Sequence, residues 1–415
     1  MKILSTAALL ALPLLLSPSR SDREMVDRVV MKEGRDLVGR VLFEGEEALV
    51  IDTGHKTRRV PLADVLEVES VERSLIEFLG RFDAADLTSP DQLLELAGWA
   101  EENELPGEAR NMYLRVLSVD PENEAAWTKL GGTKSKRLGW RLKVRGKHLT
   151  IDQLRERVSD WHNALELTTA HFLLRTDIKP ERALDLTINL ERAYLEFYEL
   201  FGKELELFVF DEVPSIFVYA SDEEFPEPTF DGVNAWYTED DNILYVNGDE
   251  LGGADARESM RHFVDLMLYT SFKRTMGLDG KPAPFVSRGV GLLFAAALDF
   301  KEAWADWDFD RPNQDMFRLH AAEEEPRSIA EIVNVSEGDY VSGDHASLNV
   351  AQTYTLTYFL NFAENGRYRP AAAKFFESSF RGQSSASQLE KILGTDLEEF
   401  GTQYEAYVDE MVQNF

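Results

Sequence analysis

Between residues 25 and 72 apolar and polar positions alternate in short runs, broken by Lys32-Glu33-Gly34, Glu44-Gly45-Glu46 and Thr53-Gly54-His55. A period of two with turn residues between the runs predicts four or five strands in a small barrel or hairpin sheet. From 90 to 131 the apolar spacing becomes three and four residues, in two blocks separated by Leu105-Pro106-Gly107. This predicts a helical hairpin, with a third helix after the stop at Asp120-Pro121. Beyond about residue 160 the pattern mixes. "ALELTTAHFLLRTD", "PSIFVYAS" and "NILYVNGD" read as strands, and "KPERALDLTINLERAYLEFYELFG" as a long amphipathic helix. Pro180 suits the first turn of that helix and Gly202 its C-terminal cap. Helices follow at 255–268 and 287–300, and 348–414 reads as further helices broken at Asn365-Gly366, Gly382 and Gly394. The predicted class is α+β: a small β-barrel-like module at 22–72, a helical segment at 75–131, a linker and hairpin at 132–159, and a mixed α/β plus helical domain at 160–415.

The first residues, "MKILSTAALLALPLLLSPSRS", change the picture. One lysine precedes an apolar run from Ile3 to Leu16, and Ser19 and Ser21 stand where a signal peptidase cuts. Residues 1–21 read as a secretory signal peptide. The run is shorter than the roughly 18 apolar residues a membrane span needs, and Pro13 interrupts it. The expected location is therefore periplasmic, envelope-associated or extracellular, with no stable span once the signal is removed. There is no cysteine, which excludes disulfides, thiolate metal sites and a cysteine nucleophile. The chain holds 44 basic and 75 acidic residues for a net charge of −31, and loss of Lys2 and Arg20 with the signal takes it to −33. Such a surface repels nucleic acid and anionic membranes.

The alternating segment at 22–72 is similar to an SH3-like or Sm-like barrel, and its acidic residues, Glu44, Glu46, Glu47, Asp52, Asp64, Glu67 and Glu69, oppose RNA binding. A docking or spacer role fits better. With Ala97, Trp99, Ala109, Tyr113 and Leu117, the helical hairpin resembles one tetratricopeptide-type repeat. A solenoid needs about three such units, so a packing role is expected. From Lys129 to Lys147 eight basic residues occur without an acid. They suit a solvated linker and hairpin around Trp140, or a contact for an anionic polymer or for the protein's own acidic surface.

The chemistry-bearing stretch is "DARESMRHFVDLML", residues 255–268, followed by "PFVSRGVGLLF", Pro284 to Phe294. Together with the strand "NILYVN" before them and the helical C-terminus, they resemble the gluzincin, or peptidase MA-like, class of metallopeptidases. In that class H-E-x-x-H lies on one helix and a glutamate ligand on a second. Two histidines one turn apart and the glutamate hold zinc, an open position holds water, and the glutamate after the first histidine takes that water's proton. On this sequence the first motif becomes Glu258-Ser259-Met260-Arg261-His262, and Arg288 takes the place of the third ligand. His262 alone is retained. Ser259 removes the general base, a loss typically of about 100-fold to 10,000-fold. A guanidinium has no lone pair to give and repels a dication. The resemblance implies a degenerate site with no zinc, in which Arg288 forms a salt bridge with Glu258 where the metal would stand. At about 100° per residue Asp255, Glu258, His262 and Asp265 also share one polar helix face within about 80°, as on any surface helix.

Elsewhere His320 and His345 have no partner at metal spacing, "GDYVSGDHAS" reads as a loop, and "WADWDFD", Trp304 to Asp310, reads as core or lid packing. Three functions follow. The first is an exported, catalytically inactive peptidase-like protein that binds a peptide or protein ligand. The second is an active zinc peptidase with an altered ligand set, His262 and Glu258 with Asp255 or Asp265. The third is an envelope scaffold unrelated to peptidases.

Overall fold

The alternating segment forms five strands: β1 (Asp27–Met31), β2 (Leu37–Glu44), β3 (Ala48–Asp52), β4 (Thr57–Pro61) and β5 (Val65–Glu69). They belong to a computed structural model that describes residues 27–137, 139–144, 147–221, 223–226, 233–248, 251, 256–298, 308–341 and 345–415. The expected signal peptide therefore lies outside the described residues. The strands are antiparallel in the order β4-β3-β2-β1-β5. Among the described residues no ladder joins β4 to β5, so the expected barrel is an open sheet. A 3-10 turn at Leu62–Asp64 separates those strands and sends β5 across to β1. One face packs Val29, Val41, Leu49, Ile51, Val60 and Val68 into a separate small core. A bulge in β2 between Val41 and Phe43 breaks the alternation. Leu42 and Phe43 join Val50 against Val209, and Arg40–Asp211 and Arg59–Glu206 ion pairs flank this contact.

The helical segment holds α1 (Val71–Ala84), α2 (Pro90–Glu102), α3 (Pro106–Val119) and α4 (Glu124–Lys129). Ser70, Ser89 and Asn123 cap three of them with side-chain oxygens that accept backbone N–H groups. Nine of the 14 residues of α3 are buried, which makes it a spine between neighbours. Three short strands, β6 (Thr133–Ser135), β7 (Gly139–Val144) and β8 (Lys147–Leu149), form an antiparallel sheet in the basic stretch. It is anchored by Trp140, whose ring stacks on Trp127 with centroids 6.1 Å apart. Lys129 pairs with Glu101 and Lys134 with Glu124, so part of this positive charge is answered within the chain.

After α5 (Ile151–Val158) comes the central sheet, built from β9 (Leu165–Thr168), β10 (Leu173–Thr176), β11 (Ser215–Tyr219), β12 (Ala235–Thr238) and β13 (Ile243–Asn247), with α6 (Pro180–Phe197) between β10 and β11. Its order is β12-β13-β11-β10-β9; β10, β11 and β13 run parallel and the two edge strands run antiparallel to them. "ALELTTAHFLLRTD" is thus a hairpin of two strands, turned at Thr169–Phe172 by a backbone hydrogen bond of 2.9 Å. Pro180 opens α6 as the pattern predicts. Gly202 is not a left-handed cap. It ends a π-helical turn, Tyr198–Gly202, where a Cβ would lie 2.4 Å from the Tyr198 ring.

The remainder is helical: α7 (Ala256–Tyr269), α8 (Pro284–Ala297), α9 (Gln314–Ala321), α10 (Ile329–Val333), α11 (Glu337–Val341), α12 (Ala346–Gly366), α13 (Arg369–Phe380), α14 (Ala386–Leu393) and α15 (Leu397–Asn414). The predicted breaks fall where the helical backbone gives way at Ala363–Asn365 and where Gly382 and Gly394 turn left-handed. The expected loop at 338–347 is partly helix: α11 carries Gly338 to Val341. Of the aromatic run 304–310 only Asp308 to Asp310 are described, and Phe309 packs edge-on against Phe294 at 5.1 Å.

One core runs through the helical segment, the sheet and the C-terminal helices. Where α3 meets the sheet, Gly107 lets the chain approach so closely that a Cβ would lie 2.4 Å from the Thr168 carbonyl oxygen. Glu108 then accepts from the Ala170 N–H at 2.6 Å, and Asn111 donates to Thr168. From α6, Glu191 takes the His171 N–H at 2.8 Å with one oxygen and contacts the ring Nδ1 at 2.7 Å with the other. The His171 ring stacks on Tyr194, and its Nε2 lies 3.5 Å from Glu72 of α1. Carboxylates from three helices thus converge on one hairpin turn, with Glu108 and Glu191 buried and Glu72 partly exposed. Burial and the nearby Glu191 push Glu108 up to about 7.

Candidate functional site

α7 carries the first motif. Its apolar positions, Met260, Phe263, Val264 and Met267, are buried as the helical period requires, leaving Glu258, Arg261, His262 and Asp265 on the other face. α8 packs beside it through a glycine seam. A Cβ at Gly291 would lie 2.6 Å from the Arg261 side chain, and one at Gly289 would lie 2.3 Å from Thr357 Oγ1 on α12. The "RGVG" sequence therefore lets α8 approach two neighbours at once.

The chain turns back between α7 and α8, and Gly291 meets Arg261. Glu258 then faces Leu292 and Ala295, in a cavity of about 390 Å³ that also includes Arg257, Arg261 and Met316. Arg288 lies toward the opposite end of α8. Its guanidinium hydrogen-bonds to Glu337 of α11 and sits 5.0 Å from the centre of the Tyr340 ring. The expected Arg288–Glu258 salt bridge is not formed, because the seam sets a register in which Arg288 meets α11 and Glu258 meets the second half of α8. Arg288 Nε is buried without an acceptor among the described residues.

His262 contacts Asp265 through Nδ1 at 3.4 Å, and its Nε2 lies 3.5 Å from Arg261 Nη2. Each ring nitrogen faces a neighbour on its own helix. Ser259 is buried, and its hydroxyl donates to the Ala256 carbonyl at 3.0 Å, so no base reaches the cleft from that position. Asp255 lies outside the described residues. The Tyr340 phenol is pushed up by burial and pulled back by the Thr353 side chain and then by Arg288 and Arg261. Burial likewise raises Tyr269, with the negative charges of Asp265, Glu239 and Glu337 adding to it.

These side chains do not fit a zinc site of the gluzincin kind. Arg288 pairs with Glu337, while Glu258 lines the cavity toward the other end of α8. No group of three or more His, Asp or Glu residues among the described residues is arranged to hold a metal ion. His320 is a buried structural histidine, with Nδ1 3.1 Å from Thr355 Oγ1 and Nε2 3.4 Å from Glu405. Tyr340 gave no sign in the sequence, because the stretch 338–347 that carries it reads as a loop, and Glu337 directly before that stretch carries no motif. The π-helical turn that follows α7, Thr270–Thr275, is tied to the sheet by Arg274, which donates to the carbonyls of Glu239 and Asp240 in the turn after β12. Among the described residues no helix is long and apolar enough to cross a membrane. Compared with known families and with curated proteins, the sequence matches neither a family nor an individual protein.

Proposed function

We propose that the chain is an exported, gluzincin-like protein that does not hydrolyse peptides and whose cavity between α7, α8, α9 and α12 binds a peptide or protein segment. The observation that carries this reading is the fixed Arg288. A cation held by Glu337 and Tyr340 stands at the position where a working relative needs a carboxylate. Supporting it are a mixed sheet with an antiparallel edge strand, β12, and two helices that follow the sheet and pack against each other. Architecture alone does not fix activity, and function rests on the site. The export segment and the acidic surface favour a protein partner in the envelope or outside the cell over nucleic acid. Elemental analysis of the mature protein after incubation with zinc and dialysis tests the reading. The expected result is well below one zinc per chain and no cleavage of an unfolded protein substrate. One retained zinc per chain together with cleavage would refute it.

A further inference from the structure

α7 contributes Arg257, Glu258 and Arg261 to the cavity of about 390 Å³, so that wall carries one positive charge in excess. The chain holds 75 acids against 44 bases. Carboxylates are therefore in surplus, and Arg288 on the neighbouring helix holds one. Arg261 holds none among the described residues. It is partly buried, and its guanidinium meets there only the ring of His262, with Nη2 3.5 Å from Nε2. Its stem is fixed against α8, because Gly291 comes so close that a Cβ there would lie 2.6 Å from the Arg261 Cγ. A cation is thus held at the cavity with its charge unanswered by an acid of the described chain.

A second wall is apolar, formed by Leu292, Ala295 and Ala296 at the three- and four-residue spacing of one helix face. Tyr354 of α12 lines the cavity too. Its hydroxyl accepts the Asn313 N–H at 2.8 Å and donates to no acceptor among the described residues, so its proton is available to a ligand. A guanidinium and a phenol beside an apolar wall suit a carboxylate attached to an apolar group. We infer, resting on the peptide-binding role proposed for this cavity, that it takes the C-terminal end of a polypeptide, with the terminal carboxylate on Arg261 and the last side chain against α8. The planar fork of the guanidinium matches both oxygens of a carboxylate. Glu258 on the same wall disfavours a ligand of higher negative charge. The volume lies at the small end of the range for ligand pockets, which suits the end of a chain better than a long segment passing through.

Two libraries of short N-acetylated peptides without Asp or Glu provide the test, identical in sequence and differing only in a free or an amidated C-terminus. Retention on the immobilised mature chain is counted by mass spectrometry. Free acids with an apolar last residue should be retained at least about tenfold better than their amides, the factor expected of a hydrogen bond to a charged group. Arg261→Gln keeps the stem that lies against Gly291 and removes the charge, and should bring the acids down to the level of the amides. Arg261→Lys keeps the charge without the fork and should fall between. Amides with a glutamate before the last residue should be retained no better than other amides. Acids and amides retained alike by the wild-type chain would overturn the inference and leave the peptide-binding role standing, whereas retention of neither would remove both. An acid preference unchanged in Arg261→Gln would place the carboxylate elsewhere and overturn the assignment. Glutamate-bearing amides retained as well as the acids would do the same, by assigning Arg261 to an acidic side chain.

Discussion

The guanidinium of Arg288 is held against the carboxylate of Glu337 across the gap between α8 and α11, with the Tyr340 ring beside it. The Glu337 side chain is half exposed, so solvent screens the pair and its direct worth is at most about 1 kcal/mol. The ring contact contributes about 0.5–1 kcal/mol. Arg288→Ala is expected to lower stability by about 1 kcal/mol in urea unfolding. A double-mutant cycle with Glu337→Ala should give a coupling below about 1 kcal/mol. A much larger coupling would mean that the pair is shielded from solvent.

Buried Glu108 makes stability depend on pH. Its folded value, about 7, lies above its ordinary 4.5, so between these values the native chain binds more protons than the unfolded one. The contribution is fully present below about pH 4.5 and is lost as pH rises through about 7. The slope approaches about 1.4 kcal/mol per pH unit for one proton. The groups facing it are Glu191 and His171, and Glu72 meets the far side of the histidine. Glu108→Gln keeps a neutral acceptor for the Ala170 N–H and removes the titration. The difference in unfolding free energy between wild type and this variant should grow in the variant's favour from pH 5 to 8. A difference independent of pH would show that Glu108 is ionised throughout.

Two glycines should respond to alanine with opposite signs. Gly98 lies inside α2 with nothing within 4 Å of the place a methyl group would take, whereas a methyl on Gly107 would press on the Thr168 backbone at 2.4 Å. Gly98→Ala is expected to stabilise by up to about 1 kcal/mol through helix propensity. Gly107→Ala is expected to destabilise by about 1–3 kcal/mol, because the rigid backbone of the sheet must retreat. Chemical denaturation midpoints read both.

The strands, the helices and their breaks were legible because they rest on local rules: periods of two and 3.6, proline in a first turn, glycine at a left-handed stop. The polar face of α7 was legible for the same reason. The partner of Arg288 was not, since it depends on how far α8 slides along α7, and that is set by glycines whose neighbours are distant in sequence. The edge strand β12 is four residues long and too short for its alternation to stand out. Glu108 and Glu191 could have been noticed as acids at positions where the helical period puts apolar residues, as in Leu184, Ile188, Glu191, Tyr194. Nothing in the sequence shows that both turn toward His171.

On α12, Thr355 and Thr357 are both fully buried but differ in their partners. Thr355 Oγ1 lies 2.6 Å from the Tyr404 hydroxyl and 3.1 Å from His320 Nδ1, whereas Thr357 Oγ1 has no partner among the described residues. Valine has nearly the shape of threonine, so the two substitutions isolate the hydroxyl. Thr357→Val removes a buried polar atom that gains nothing from the fold, and is expected to raise stability by about 1 kcal/mol. Thr355→Val leaves a phenol and an imidazole facing a methyl group, and is expected to cost about 1–3 kcal/mol. Because α8 touches Thr357 through Gly289, a loss of stability in Thr357→Val would show that the hydroxyl is engaged across the glycine seam, and that the seam beneath the cleft is held by more than close packing.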